Sequence, residues 1–589
     1  MTIEQSSAAR PAGAFDVIVV GGGAAALTAA TVAGRHGASV LVLEAAASVG
    51  GSTAKSSGGF WIPRNRLMRE RARSDPRFVD DRDGCLAHMA RLAYPEHYRR
   101  GLERHGLPAP EWELIVNHYD HAVEALEDLE AAGDLSYMIH GSFRGDDLGM
   151  PTWYETEEDG NTYGRLLTAT PFEDSSADDQ IVTSRSGGND AAMVALGATF
   201  GDGVDLIRHL LRAAKRYGAT VATEHRVLDV IVAADGAVVG VIAQTPQGQR
   251  SFAARRGVVF GTGGFEHNRE LRERFLRGPI VGTCGASGSR GDFIAIAERL
   301  GADLANMGEA WWAQLPLEPC LERFEQGELI NQNYGDSMIV VDATGHRVVN
   351  EKESYNERAK IHSVRDAAGG YPNRLLIQIF DDAVVQDDTP WVARWPVPMA
   401  DDIPRYVLRG DTLAALTAAI AARLLELSDH TGGFALADAF SEILEHTIER
   451  FNGFARTGVD EDFARGATWP ERFLSVEYRP DPMANFTMYP ISSTGPYYAI
   501  IIGASCLGTK GGPRINTRSQ VLRPDGSVIA GLYGAGNCIG SPAGEGYWGG
   551  GSTLGPAILN GYLAGKHVAG EPDREHVATA TDLAAGSTT

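Results

Sequence analysis

The chain has 589 residues, of which 43% are hydrophobic and 22% charged, and its formal net charge is -23 at pH 7. This length exceeds what one compact core supports, so we expect two domains. The negative charge argues against a nucleic-acid partner, whose phosphates it would repel. No apolar run reaches the length of a membrane span, and residues 1–14 lack the layout of a signal peptide. We therefore expect a cytoplasmic protein without an integral membrane segment, and the scattered cysteines predict no metal site.

The first predicted unit is a strand, a glycine-rich turn, a helix and a second strand. Residues 16–20 read as a buried strand, residues 21–26 as the turn, and residues 39–43 as a second strand that ends in Glu44. Glycines let the backbone approach a pyrophosphate at a helix N-terminus, and the acid accepts hydrogen bonds from a ribose. The unit predicts dinucleotide binding by Gly21, Gly23, Ala25, Ala26 and Glu44.

Later glycine-rich segments extend this prediction to FAD. A small-residue loop at 50–59 follows the acid directly and offers hydroxyls and amides to a longer cofactor. Strands are predicted over 219–243 with a hairpin turn at Asp235-Gly236, a strand at 258–260 enters the turn 261–265, and residues 531–537 precede a helix that starts near Leu554. From these segments we assign cofactor contacts to Gly51, Ser52, Thr53, Ser57, Gly58, Gly59, Val227, Thr262, Gly263, Gly264, Gly536, Asn537, Thr553 and Leu554.

The order of these segments resembles the fumarate reductase/succinate dehydrogenase flavoprotein superfamily, over nearly the whole chain. The resemblance implies an α/β fold in which a discontinuous Rossmann-type FAD-binding domain carries an inserted α+β catalytic domain. By this analogy the FAD-binding domain comprises residues 1–283 and 490–575, the catalytic domain residues 284–489, and residues 576–589 a flexible tail.

The dicarboxylate reductases of that superfamily clamp their substrates with arginines and histidines. Tyr355 stands where their active-site arginine is expected, and their histidine is missing from residues 506–512. Their C-terminal arginine is replaced by the apolar, glycine-rich residues 544–555. Arg358, close by, is the remaining substitute for the arginine. These differences argue against a dicarboxylate substrate.

Three stretches resemble the 3-ketosteroid dehydrogenase branch instead. They are residues 58–65 (GGFWIPRN), Val349-Asn350-Glu351 followed by Tyr355, and residues 546–557 (GYWGGGSTLGPA). The resemblance implies that Tyr547 and the backbone amide of Gly551 hydrogen-bond the ketone oxygen of the substrate. A side chain at Gly551 would block the ketone from that amide. Tyr355 then removes the proton next to the ketone, and FAD accepts the hydride from the adjacent carbon.

A tyrosine that acts as a base needs a partner that stabilises its phenolate, because its usual pKa is about 10. The resemblance offers Tyr154 for this, beside an acidic run at 155–159 that would oppose phenolate formation. Four tryptophans either line an apolar substrate slot or belong to the core: Trp61, Trp311, Trp312 and Trp548.

The resulting hypothesis is FAD-dependent formation of a carbon–carbon double bond conjugated with the ketone of a 3-ketosteroid or similar hydrophobic cyclic ketone. An external electron acceptor of unknown identity completes the cycle. Two alternatives stay open, a flavin-dependent reductase of an enone or unsaturated acid and a non-catalytic FAD-binding protein. The sequence does not choose between the 1,2 and 4,5 bonds or fix the physiological direction.

Overall fold

The computed structural model describes residues 14–141, 148–152, 155–156, 158–159, 162–172, 201–330, 333–387, 394–475 and 483–574. The helices in these ranges are α1 Ala24–Arg35, α2 Gly51–Lys55, α3 Arg66–Arg71, α4 Arg82–Ala93, α5 Ala109–Ala131, α6 Gly203–Arg216, α7 Arg269–Phe275, α8 Asp292–Arg299, α9 Leu317–Glu322, α10 Tyr355–Ala359, α11 Asp382–Gln386, α12 Leu413–Glu426, α13 Ser428–Thr431, α14 Phe440–Thr457, α15 Trp469–Leu474 and α16 Leu554–Ala569.

The strands are β1 Ala14–Val20, β2 Val40–Leu43, β3 Phe60–Trp61, β4 Tyr137–Ile139, β5 Leu166–Ala169, β6 Thr220–Ala222, β7 Arg226–Val232, β8 Val238–Thr245, β9 Gly248–Phe260, β10 Gly282–Thr283, β11 Leu304–Ala305, β12 Ala310–Pro316, β13 Met338–Val341, β14 Leu375–Asp381, β15 Val407–Gly410, β16 Tyr497–Thr509, β17 Gly512–Pro513, β18 Gln520–Leu522 and β19 Val528–Gly534.

The first sheet has the strand order β18-β19-β9-β1-β2-β6, with β8 paired to β9 and β7 paired to β8. β1 runs parallel to both β2 and β9, so its apolar residues are covered on both faces. β7 and β8 form the predicted hairpin. Because β18 and β19 come from residues 520–534, the end of the chain completes a sheet that its beginning started, and the predicted discontinuous α/β fold is confirmed.

Helices α1 and α16 pack side by side against this sheet, and small residues allow the two helices a close approach. A Cβ at Gly561 would collide with the carbonyl oxygen of Ala25, and one at Gly565 with that of Ala29. The alanine-rich helix that follows the first turn is therefore buried on almost every side. This packing fixes the N-terminus of α1 at the carboxyl end of β1.

The second sheet is built around the long strand β16, which pairs with β10, β12, β14 and β15, while β13 extends the sheet beyond β14. Helices α12 and α14 cover it with an apolar layer that includes Leu416, Ile420, Leu444 and Phe451. The predicted second FAD-binding segment begins at residue 490, but β16 belongs to this second sheet. β16 supplies the hydrogen-bonding partners of four strands of this sheet, and the domain bounds stay a prediction.

A small third sheet, in the order β3-β5-β4, lies beside the cofactor side of the first sheet. Its strand β3 carries Trp61, and the backbone amide of Trp61 donates to the carbonyl oxygen of Gly551 at 3.0 Å. This bond connects the loop before α16 to β3, which directly follows residues 50–59. In the described ranges, no helix is both long and apolar enough to cross a membrane.

Candidate active site

The carboxyl ends of β1, β2 and β9 open onto a cavity that receives further walls from the second sheet and the loop before α16. Most of the predicted site residues line it: Gly21, Gly23, Ala25, Glu44, Gly51, Ser52, Thr53, Ser57, Gly59, Val227, Thr262, Gly263, Tyr355, Gly536, Asn537, Tyr547, Gly551, Thr553 and Leu554. Segments from both ends of the chain thus meet around one space.

The glycine-rich turn after β1 leaves room for backbone only. Gly21 has a φ of +107°, and a Cβ there would collide with the carbonyl oxygen of Gly261. Helix α1 begins directly after the turn, without a side-chain cap and without an acidic residue in its first turn. No acidic residue of the helix's own first turn neutralises the positive end of its dipole, which faces the cavity, and this arrangement suits a pyrophosphate.

Glu44 lies at the end of β2, on the wall of the same cavity. Burial raises the pKa of its carboxyl group, while backbone hydrogen bonds from Ala46 and Gly22 oppose that rise. The amide of Ala46 donates to Oε1 at 2.7 Å. A half-buried acceptor at this position suits a ribose hydroxyl, so the turn, the helix end and the acid together fit the adenosine diphosphate half of FAD.

Three predicted cofactor contacts lie behind the wall rather than on it. Ala26 packs against Gly261, and Gly58 lies against the backbone of Asp202. A Cβ at Gly264 would collide with the Glu266 carboxylate and the Thr509 hydroxyl. The residues at these three positions must be small because other parts of the protein pack against them. They support the cavity wall from behind and do not line it. Tyr154, the predicted partner of the base, lies outside the described residues.

The other two predicted catalytic tyrosines, Tyr355 and Tyr547, meet at the wall of the cavity. The Tyr355 hydroxyl, at the start of α10, donates to the Tyr547 hydroxyl at 2.6 Å. Both residues are 4% exposed, so they form their hydrogen bond out of bulk water. Burial raises the pKa of the Tyr547 phenol, while the Tyr355 hydroxyl and the Gly551 amide lower it. Tyr547 is thereby kept protonated at neutral pH, as a hydrogen-bond donor to a ketone must be.

Gly551 is required by the backbone, for a reason that the sequence did not reveal. Its φ is +88°, and a Cβ would lie 2.6 Å from the backbone nitrogen of Trp61 and 2.7 Å from the Cα of Phe60. A side chain would strike β3 rather than an incoming ketone. We expected a glycine at position 551 so that the ketone could reach the amide. In the structure the glycine is required because its loop packs closely against β3.

The tryptophans belong to the core around the site. Trp61, Trp311, Trp312 and Trp548 are each at most 1% exposed, and none of them lines the cavity. Trp548 donates from Nε1 to the carbonyl oxygen of Met89 at 3.1 Å, on the far side of the loop. Trp311 packs edge-on against Tyr547 with ring centroids 5.6 Å apart, so it supports the tyrosine from behind.

The cavity also contains residues that the sequence analysis did not single out. They include Gly22, Ala24, Lys55, Ser56, His225, Cys284, Ala286, Ser289, Asp292, Glu328, Leu329, Leu507 and Ala557. Lys55, in the predicted loop at 50–59, pairs with Glu325. Six of the others come from loops with no motif of their own, and only the fold brings them to the wall: His225, Cys284, Ala286, Ser289, Glu328 and Leu329.

Arg358, the remaining candidate for a carboxylate clamp, uses its guanidinium group in hydrogen bonds to neighbouring protein groups. It is 1% exposed and donates to Gln314 Oε1 at 2.8 Å and to the carbonyl oxygens of Glu353 and Ile330 at 2.7 and 2.5 Å. It does not reach the cavity, and among the described residues no arginine lines it.

Residues 16–554 match the family described as FAD binding domain. The chain belongs to this family. The flavoprotein is 30% identical to a 3-oxosteroid 1-dehydrogenase of Mycolicibacterium smegmatis, over 94% of this chain and 97% of the relative. It is 32% identical to a 4-oxocyclohexanecarboxylate 2-dehydrogenase of Sinomonas cyclohexanicum, over 95% of this chain and 94% of the relative.

A crystal structure of a 3-ketosteroid delta1-dehydrogenase from Sterolibacterium denitrificans superposes with a TM-score of 0.76 and 24% identity, over 95% of this chain and 100% of that one. This likeness confirms the fold. The predicted cofactor is likewise confirmed by the family match. The flavoprotein is an FAD-dependent oxidoreductase of the 3-ketosteroid dehydrogenase branch, as its motifs indicated.

Proposed function

We propose that the flavoprotein dehydrogenates a hydrophobic cyclic ketone, with a 3-ketosteroid as the leading substrate class, and forms a double bond conjugated with the ketone. The observation that carries this proposal is the buried pair of Tyr355 and Tyr547 hydroxyls beside the Gly551 amide. Removal of hydrogen next to a ketone requires a donor to the ketone oxygen and a base for the neighbouring proton. The pair offers one residue for each role. Bound FAD supplies the hydride acceptor.

The bond between the two hydroxyls suggests how the roles are coordinated. Tyr547 has one phenolic proton, which it directs toward whichever neighbouring oxygen carries more negative charge. Before reaction that oxygen is the Tyr355 phenolate. When Tyr355 takes the substrate's proton, it becomes a donor to Tyr547, and Tyr547 turns its own proton to the enolate oxygen. Negative charge thus moves from Tyr355 to the substrate, and the one hydrogen bond from Tyr547 to Tyr355 is replaced by two, from Tyr355 to Tyr547 and from Tyr547 to the enolate oxygen.

The walls near the tyrosines suit an apolar substrate, because Leu329 and Leu507 line the cavity with them. The two relatives act on ketones of different size and charge, so the test must include both classes. The cytoplasmic location stays a prediction.

The test is anaerobic mixing of the purified holoenzyme with a ketone panel. The panel contains androst-4-ene-3,17-dione, 5α-androstane-3,17-dione, 4-oxocyclohexanecarboxylate and cyclohexanone. We expect a steroid ketone to bleach the flavin absorbance, and mass spectrometry to find a product that has lost two hydrogens. Failure of every ketone to bleach the flavin, together with oxidation of the chemically reduced flavin by fumarate, would overturn the proposal.

A further inference from the structure

Lys510 is a buried cation directly behind the Tyr547 loop, and neither the motifs nor the proposed mechanism uses it. It follows β16 and is 0% exposed. Its ammonium group donates to the carbonyl oxygen of Gly546 at 2.7 Å and lies over the Trp311 ring, 4.2 Å from the centroid. Gly546 immediately precedes Tyr547, and Trp311 packs against the Tyr547 ring. Both groups that the ammonium contacts are therefore direct neighbours of Tyr547, one along the chain and one by ring packing.

This charge has no ion-pair partner among the described residues. The nearest acids are engaged elsewhere, because Glu309 and Glu545 both pair with Arg277. A buried ammonium with only one carbonyl and one aromatic face as partners costs several kcal/mol of stability. An apolar side chain such as methionine would fill the same space without that cost. A cost of this kind beside a reacting centre points to a functional reason for the charge.

The charged groups around Lys510 set the pKa of its ammonium group within a range where negative charge near Tyr547 can change its protonation. Burial lowers the pKa of its ammonium group to about 7; Glu309, Glu357 and Glu545 oppose that shift and Lys360 adds to it. New negative charge near Tyr547 would raise the pKa again and hold the proton on Lys510. The ammonium and an oxyanion at Tyr547 thus stabilise each other.

We propose that Lys510 is a positioning residue whose buried positive charge, placed behind Tyr547 by the Gly546 carbonyl and the Trp311 ring, stabilises the oxyanion that forms when the ketone substrate enolises. Lys510 touches neither substrate nor cofactor. It holds the Gly546-Tyr547 segment and makes the potential at the Tyr547 hydroxyl more positive, which matters most where water is excluded. The inference rests on the proposed function, since it requires an enolate at Tyr547.

The test measures the ionisation of a bound phenol, which is a planar mimic of the enolate. A phenol with electron-withdrawing groups is chosen so that it ionises in the pH range where Lys510 is charged, and the carbon that bears its oxygen is labelled with carbon-13. Its pKa is read by NMR while it is bound to the oxidised holoenzyme. We expect the wild-type protein to lower the pKa of the bound phenol, and Lys510→Met to raise it again by about 1 to 2 units. The kcat should fall about 10- to 100-fold, with KM changed less than threefold.

The matched control is Lys566→Met, because the Lys566 ammonium also lies over an aromatic ring, 5.9 Å from the Tyr562 centroid, but belongs to an exposed side chain of α16. It should leave the pKa of the bound phenol unchanged. Lys510→Gln serves as a second neutral variant, and the flavin absorbance and melting temperature of each variant show whether it folds. An equal phenol pKa in wild type and in folded Lys510 variants overturns the inference alone. A wild-type protein that binds neither phenols nor cyclic ketones overturns the proposed function instead.

Discussion

The phenolic hydroxyl of Tyr355 donates a hydrogen bond of 2.6 Å to that of Tyr547, although 192 residues separate the two in the chain. A bond this short between two buried phenols means that neither can change its proton without affecting the other. The resemblance assigned the two tyrosines to separate tasks, as base and as donor to the ketone. The bond makes them one unit, and the effects of mutations at the two positions should not be additive.

Tyr547→Phe should remove the donor to the ketone while keeping the ring that packs on Trp311. We expect kcat to fall by about 10²- to 10³-fold, as when one donor to an oxyanion is lost, and FAD to remain bound. Steady-state rates and the flavin spectrum check this. Tyr497→Phe is the matched control, because that hydroxyl donates to the Ser492 carbonyl oxygen in the second sheet, away from the cavity. Loss of FAD from Tyr547→Phe alone would show a structural role.

Tyr355→Phe should abolish proton removal while leaving ketone binding intact. Loss of a positioned base costs about 10²- to 10⁴-fold in rate. The specific measurement is exchange of the substrate's α-proton with deuterated water, followed by mass spectrometry without an electron acceptor. Wild type should exchange the proton, and Tyr355→Phe should not, although it should still shift the flavin spectrum on binding the ketone. Normal exchange in this variant would assign the base elsewhere.

The parts of the site that the sequence predicted are those encoded in short segments. The turn at Gly21, the acid Glu44 and the loop before α16 each have a local pattern, and all of them line one cavity. Lys510 was overlooked because its burial depends on Trp311 and Gly546, which come from distant segments. A lysine followed by two glycines at the end of an apolar strand was the only signal in the sequence. The reason for Gly551 was also hidden, since its neighbour is β3.

Gly551→Ala tests whether the position of the loop that carries Tyr547 limits the reaction, because it changes the backbone and removes neither tyrosine hydroxyl. At a φ of +88° an alanine is strained, and its Cβ would lie 2.6 Å from the Trp61 nitrogen, so the loop that carries Tyr547 must move. We expect a loss of about 1 to 3 kcal/mol in the free energy of unfolding and a fall in kcat of at least tenfold. Gly248→Ala is the control, because Gly248 has a φ of +101° but open space around it. If both variants keep full activity, the position of the loop does not limit the reaction.

Glu266 is a buried carboxyl group next to the cavity wall, and its protonation should make the stability of the protein depend on pH. Its carboxyl group is 1% exposed and lies where glycines leave room for it, since a Cβ at Gly264 or Gly285 would collide with it. The Thr509 amide donates to Oε2 at 3.2 Å, whereas Oε1 has no partner among the described residues. Burial raises the pKa of this carboxyl to about 7 from 4.5.

Between pH 4.5 and 7 the folded protein therefore holds a proton on Glu266 that the unfolded chain has released. The contribution of this group to the free energy of unfolding is complete below pH 4.5 and is lost as pH rises to about 7, by an amount on the order of 3 kcal/mol. Glu266→Gln cannot titrate. Denaturant unfolding with saturating FAD should show the variant gaining stability relative to wild type across this window, whereas the exposed Glu442→Gln should not. Parallel pH profiles for Glu266→Gln and wild type would mean that the carboxyl is already ionised in the folded protein at acidic pH.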